Sequence, residues 1–264
     1  MRLSQGQLTL LEYCPRRFQH SILESLSVPP SPKLLMAQQW GDRFHLLMQQ
    51  RELGLPIDPV LAHDDELQTC VSRLQTAAPD LFDATDESFR QSEHERSFVL
   101  NGYWFTVVYD LLRQWSAASS TGDRAEIIDW KTYLKPQTAK FLRREWQTRL
   151  YLYSLVETTH YRPAQISMTY WFVRVTDPEA PQPTPQKVCL PYSDQAHQAT
   201  HRQLVQLTQQ LTALLEVGMP FPQLPVDSEK CADCPFAVRC QRGMANLAEG
   251  LALPAWDAIS EIAL

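Results

Sequence analysis

Asp129 and Lys131 stand two residues apart in Glu126-Ile127-Ile128-Asp129-Trp130-Lys131-Thr132, a segment otherwise apolar enough to predict a buried strand. Side chains alternate along a strand, so the carboxylate and the amine share one face while Ile128 and Trp130 take the other. An ionised pair at the end of such a strand is costly to bury unless something compensates it. A salt bridge between the two is one compensation; a metal ion with a phosphate is another. Upstream, Tyr103-Trp104-Phe105-Thr106-Val107-Val108-Tyr109-Asp110-Leu111-Leu112 reads as a strand buried on both faces, with one acid, Asp110, near its end. Asp110 either caps the turn after its strand or faces Asp129 from a neighbouring one. In the second case the two carboxylates need a cation, and hard oxygen ligands suit Mg²⁺ or Mn²⁺.

The elements that must position these residues follow from pattern. Residues 4–25 read as helix, with Ser4 as N-cap and a break at Cys14-Pro15. Pro29-Pro30-Ser31-Pro32 is a linker, and helices resume over 34–52 and 64–77. Strands are predicted over 93–100, 103–113 and 125–132, with residues 117–123 as the loop between the two acid-bearing strands. A long helix over 137–158, a strand over 165–175, a proline-rich loop at 178–185, a strand over 187–191 and a helix over 193–217 follow. This order suits an α/β domain with a mixed sheet. On the long helix Leu142, Trp146, Leu150 and Tyr153 form an apolar stripe, and Lys140, Arg144, Gln147 and Tyr151 a polar one. Gln147 and Tyr151 lie one turn apart, within reach of a common ligand.

At 264 residues the chain is expected to be one large domain or one domain with extensions, and 44% hydrophobic content gives it ample core. No apolar run approaches the ~20 residues that span a bilayer, and Met1–Gln7 lacks a signal pattern. A cytoplasmic chain without membrane partners is expected. The net charge of −6 argues against a nucleic-acid coat protein but leaves room for a local basic path. Lys131, Lys135, Lys140, Arg143, Arg144 and Arg149 against Glu145 alone are such a path, or a solvated helix face. No phosphate-binding Gly-rich loop is present, so any ATP-driven unwinding would belong to a partner.

Of six cysteines, Cys231, Cys234 and Cys240 have metal-ligand spacing near the C-terminus. Cys14 is the best fourth donor, since Cys70 lies in an apolar helix and Cys189 in a strand, where cysteine acts as a small hydrophobe. Spacing alone leaves zinc and iron–sulfur equally open.

Taken together, these motifs resemble the PD-(D/E)XK nucleases of the RecB type, in the branch carrying an iron–sulfur clasp, which includes AddB-type domains and CRISPR-associated exonucleases. Gly41-Asp42-Arg43-Phe44-His45 resembles the Gly-x-x-x-His helix motif. Tyr109-Asp110-Leu111-Leu112 resembles the first acidic motif, Ile128-Asp129-Trp130-Lys131 the (D/E)xK strand, and Gln147-Thr148-Arg149-Leu150-Tyr151 the Gln-x-x-x-Tyr helix. Tyr13-Cys14-Pro15-Arg16-Arg17-Phe18 and the C-terminal cysteines resemble the cluster ligands. The family often has Gly where this chain has Val107, a side chain expected to narrow the approach of DNA.

The resemblance implies a restriction-endonuclease-like core over about 34–217, in a single domain spanning residues 1–264. Segments 4–25 and 226–242 would be clasped by a four-cysteine cluster. It implies Mg²⁺ or Mn²⁺ held by His45, Asp110, Asp129 and the Trp130 carbonyl. Lys131 would orient or deprotonate the water, and Gln147 and Tyr151 would position it. Cys14, Cys231, Cys234 and Cys240 would hold [4Fe–4S], with zinc as the alternative. The implied activity is a deoxyribonuclease on single-stranded DNA or DNA ends, beside a helicase in repair or with CRISPR adaptation proteins. A catalytically silent nucleic-acid-binding subunit and a structural zinc protein are the rival readings. The extra length at 53–92 and 241–264 reads as a docking surface.

Overall fold

Asn101 and Gly102 both take positive φ, 50° and 79°, the backbone of a two-residue type I′ turn. That turn closes the hairpin from which the sheet grows. The computed structural model describes residues 1–83, 87–118, 122–175 and 184–242. Its elements begin with β1 (Arg2–Leu3), α1 (Gln5–Tyr13), α2 (Pro15–Phe18), one turn of π-helix (Gln19–Leu23), α3 (Pro32–Glu52), α4 (Asp58–Leu61) and α5 (Asp65–Ala77). Next come β2 (Phe89–Leu100), β3 (Tyr103–Trp115), β4 (Arg124–Lys131), α6 (Ala139–Leu142), α7 (Trp146–Glu157), β5 (Ile166–Phe172), β6 (Gln186–Pro191) and α8 (Asp194–Val217). They form two compact units, one of Met1–Thr9 with Pro29–Ala213, the other of Leu10–Val28 with the described residues from Leu214 onward. No helix among the described residues is long and apolar enough to cross a membrane.

The first unit holds a mixed sheet flanked by helices. β2 runs antiparallel to the whole of β3. The other edge of β3 is shared: Trp104 and Phe105 pair parallel with β1, while Leu111–Trp115 pair antiparallel with β4. β4 then pairs parallel with β5, and β5 antiparallel with β6. On one face, Phe44, Leu47 and Met48 of α3 and Leu67, Val71 and Leu74 of α5 cluster with Leu111, Ile128, Trp130 and Trp171. Burying each such side chain contributes about 1.5–3 kcal/mol. α7 packs against β2, β3 and β5.

Helix starts follow the sequence. Ser4 Oγ accepts from the Gln7 amide at 3.4 Å while the Gln7 side chain returns to the Ser4 amide at 2.8 Å. Ser31 and Asp64 cap α3 and α5 in the same manner. Three expectations are corrected. The continuous helix predicted over 137–158 is two, α6 and α7. Turn hydrogen bonds from Arg144 to Phe141 and Glu145 to Leu142 close the first, and Thr148 Oγ1 takes the Leu142 carbonyl at 2.6 Å. β3 is buried on both faces only toward its end; Trp104 is 56% exposed, because the apolar run hid an ordinary alternation. The 53–92 segment is not wholly an insertion outside the core, since α5 supplies core residues and residues from 89 onward are strand. The expectations for residues 178–183 and 243–264 lie outside the described residues.

α3 comes close to the residue that follows β4 at Gly41, where a Cβ would lie 3.1 Å from Thr132 Oγ1. Gly41→Val should therefore lower stability by roughly 1–3 kcal/mol. Adding Thr132→Ala should recover part of the loss. Thermal unfolding of the two variants checks this, and an undiminished midpoint in Gly41→Val would contradict it.

Candidate active site

The site opens where β3 and β4 part. Their ladder ends at Leu111 opposite Ile128, and two residues later the Trp130 amide donates to Asp110 Oδ2 at 2.7 Å. A side-chain carboxylate thus takes the place of the next backbone acceptor. β4 meanwhile stays paired with β5 through Lys131, so Asp129 and Lys131 are held in regular strand geometry. They share a face, as the spacing requires, with Lys131 Nζ 2.6 Å from Asp129 Oδ1. Gln147, in the first turn of α7, closes the ring. Its Nε2 donates to Asp129 Oδ2 at 2.5 Å, and its Oε1 accepts from Lys131 Nζ at 2.8 Å.

His45 enters from α3, one turn after Gly41, and places Nδ1 3.4 Å from Asp110 Oδ2. A residue absent from the sequence reading joins it. Ligand atoms of His45, Glu93 and Asp110 all lie within 4.8 Å of one another, the one such group of His, Cys, Asp or Glu among the described residues. Asp129 is not among the three; it faces Lys131 and Gln147. Glu93 is brought in by register. Leu100 pairs with Tyr103 across the tight turn, so Asp110, seven beyond Tyr103, stands opposite Glu93, seven before Leu100. That arithmetic from Asn101-Gly102 was the available signal; nothing in the polar stretch Arg90–Ser97 marks Glu93 itself. Its φ of 48° lies in the left-handed region, which costs a glutamate of order 1 kcal/mol.

Four groups here have raised pKa values. Burial raises the Asp129 carboxyl, Lys131 opposes that, and Asp110 adds to it. Burial and then Asp110 raise Glu93. Burial draws His45 down, but its hydrogen bond with and the charge of Asp110, with Asp129 and Glu93, bring it above its ordinary value. Lys131 is likewise drawn down by burial and carried above its ordinary value by Asp129. The ammonium form is therefore the one the site holds. One imidazole and two carboxylates are donors that Mg²⁺ and Mn²⁺ accept.

Tyr151 sits beneath this ring, its hydroxyl raised by burial and then by Asp129 and Asp110, so it remains a hydrogen-bonding phenol. Its backbone carbonyl accepts from the Tyr109 hydroxyl at 3.0 Å. Trp130 contributes its amide to Asp110. Val107 is 1% exposed and, three residues from Asp110, belongs to the opposite face of β3, so it does not narrow the approach to the acids. An open groove of about 1580 Å³ runs beside His45, lined among others by Leu34, Met36, Trp40, Tyr133 and Lys135. Of the basic stretch, Lys135 lines this groove, Arg143 donates to the Pro191 carbonyl at 3.2 Å, and Lys140 and Arg144 are exposed.

In the second unit, Cys14, Cys231, Cys234 and Cys240 line one pocket, all as free thiols. Cys70, by contrast, is buried with its thiol pushed up to about 12, and Cys189 is exposed on β6.

A model of the PD-(D/E)XK nuclease superfamily matches residues 2–241. No curated protein matches the chain. Among solved structures, an exonuclease candidate from Eubacterium rectale aligns over 95% of this chain and 94% of that one at 10% identity, with a TM-score of 0.54. That likeness is one of fold. A second structure, SSO0001, aligns over 90% of this chain and 85% of that one at 13% identity with a TM-score of 0.41, too distant to bear on the fold.

Two outcomes follow from this geometry. Glu93→Gly should relieve the left-handed backbone and raise stability by about 1 kcal/mol, while weakening Mn²⁺ binding at least tenfold by calorimetry. Tighter or equal Mn²⁺ binding would remove Glu93 from the site. The second concerns pH. Asp129, Glu93 and His45 all have raised values, so each contributes stability that is full below its ordinary value and lost as pH rises through the raised one. In chelator the melting temperature should fall over that range, and saturating Mn²⁺ should reverse the fall; a chelated protein that gains stability there would contradict the assignment.

Proposed function

The chain belongs to the PD-(D/E)XK nuclease superfamily, and from that premise we propose that it is a metal-dependent deoxyribonuclease acting on single-stranded DNA or DNA ends. The observation that carries the reading is the convergence of His45, Glu93 and Asp110 beside the closed Asp129–Lys131–Gln147 ring. A surface ion pair would need none of the first three.

His45, Glu93 and Asp110 are the residues that would hold a divalent ion, with Asp129 and the Trp130 carbonyl available at its edge. When bound, Mg²⁺ or Mn²⁺ supplies positive charge to the phosphoryl oxygens and lowers the pKa of coordinated water. Lys131, kept as an ammonium by Asp129, stabilises the negative charge that develops on the phosphate. That makes it an electrostatic group; deprotonation of the water falls to another. Gln147 fixes Asp129 and Lys131 relative to each other, and Tyr151 donates from below. Bases of a single strand, unlike those of a duplex, are free to pack on the exposed Tyr133, Leu34 and Met36 of the groove, with Lys135 toward phosphate. This supports a single-stranded substrate.

The reading extends to the RecB-type branch with an iron–sulfur clasp, in a cytoplasmic chain whose nuclease core is about 34–217 and whose cluster-binding segments are about 4–25 and 226–242. Cys14, Cys231, Cys234 and Cys240 line one pocket, and four thiols are the donor set that a [4Fe–4S] cluster takes, with zinc as the alternative. Such an enzyme would work beside a helicase in repair or with CRISPR adaptation proteins.

The test is cleavage of end-labelled single-stranded DNA with Mn²⁺. Asp129→Asn and Lys131→Ala should each lose at least a hundredfold in rate and remain folded by circular dichroism. Metal-independent cutting, or full activity in either variant, would contradict the reading; no cutting by wild type would favour a binding subunit. Cys234→Ser should lose visible absorbance from anaerobically purified protein and lower its melting temperature. A colourless, zinc-bearing wild type would replace the cluster with zinc.

A further inference from the structure

Next to the four cysteines lies a buried histidine that no motif accounts for. His20 is 3% exposed, on the turn of π-helix that follows α2. Its Nδ1 is 2.8 Å from Glu24 Oε2, and its Nε2 is 3.8 Å from the Cys240 sulfur. The Phe236 ring, 5.1 Å away and tilted by 50°, packs against it from the segment between Cys234 and Cys240. Glu24 is itself fixed. It accepts from Gln19 Nε2 and lies 3.4 Å from an Arg239 guanidinium nitrogen. The π-turn sets this arrangement, because five-residue closure puts Glu24 and His20 on one side of the chain, with the Glu24 amide bonded to the Gln19 carbonyl.

We propose that His20, oriented by Glu24, is a positioning residue that hydrogen-bonds the Cys240 sulfur and sets the reduction potential of the metal centre held by the four cysteines. The inference rests on the reading that those cysteines hold an iron–sulfur cluster. A carboxylate on Nδ1 fixes the ring plane, as it does for histidines beside metal sites, and leaves Nε2 aimed at the sulfur. A coordinated thiolate has no proton to give, so the hydrogen bond runs from nitrogen to sulfur. It withdraws electron density from the ligand and stabilises the reduced centre. Among the described residues, Cys240 alone of the four cysteines has a hydrogen-bonding side chain at its sulfur, so the corner it occupies differs from the other three.

The experiment uses the full chain, purified anaerobically and reconstituted with ferrous iron and sulfide. Iron content, visible absorbance and reduction potential are read for wild type, His20→Leu, His20→Gln and Glu24→Gln. His20→Leu should carry the same iron at a lower potential and bleach faster in air. His20→Gln, which keeps an N–H near the position of Nε2, should recover part of the potential, and Glu24→Gln should shift it in the same direction as His20→Leu. If His20→Leu fails to fold, Glu24→Gln, altering a partly exposed side chain, carries the test alone. An unchanged potential in the folded variants overturns the role of His20 while the cluster stands. A wild type that takes up no iron overturns both readings.

Discussion

The single hydrogen bond from the Trp130 amide to Asp110 Oδ2 is the constraint on which the catalytic unit turns. β3 and β4 are paired only from Leu111 to Trp115; before Leu111 they diverge, and β3 gives its freed edge to β1. A parted ladder exposes backbone donors, and an unpaired donor at that depth is costly. Asp110 satisfies one with a carboxylate, and the same oxygen lies 3.4 Å from His45 Nδ1. The same residue that ends the ladder therefore starts the site. Acids gather there because the sheet opens there.

That arrangement carries stored cost. Glu93 sits at positive φ, Asp129 is 2% exposed, and the carboxyls of both are raised by burial and by their neighbours. None of this aids folding of a bare chain. A core built for stability alone would place apolar residues at these positions. Burial of Asp129 against Lys131 and Gln147 instead fixes three polar groups in one geometry, and α7 is locked over the sheet by Thr148 and Tyr170 hydroxyls 2.7 Å apart. Preorganised charge in a water-poor ring is what phosphoryl chemistry draws on.

Much of this was legible in the sequence, and for physical reasons. Strand period placed Asp129 and Lys131 on one face, and helical pattern placed α3 and α5 to within two residues of where they begin. Gln147 was identified by its turn of helix, although the helix itself is shorter than its pattern. The break between α6 and α7 was hidden because Arg143-Arg144-Glu145 are good helix formers, and only the tertiary demand of Thr148 and the turn after Leu142 separates them. Glu93 was hidden for the opposite reason. Its importance is non-local, set by a hairpin register and a distorted backbone, and one glutamate in a polar strand looks like any other. His20 carries no local signal in the sequence, because Cys240, the partner that gives it meaning, is 220 residues away.

The central claim is that His45, Glu93 and Asp110 together hold the catalytic ion. Anomalous diffraction at the manganese edge from crystals soaked in Mn²⁺ measures this directly. The account predicts a peak bounded by His45 Nδ1 or Nε2 and by carboxylate oxygens of Glu93 and Asp110. A peak that omits Glu93, or the absence of any peak between these three side chains at saturating Mn²⁺, would contradict it.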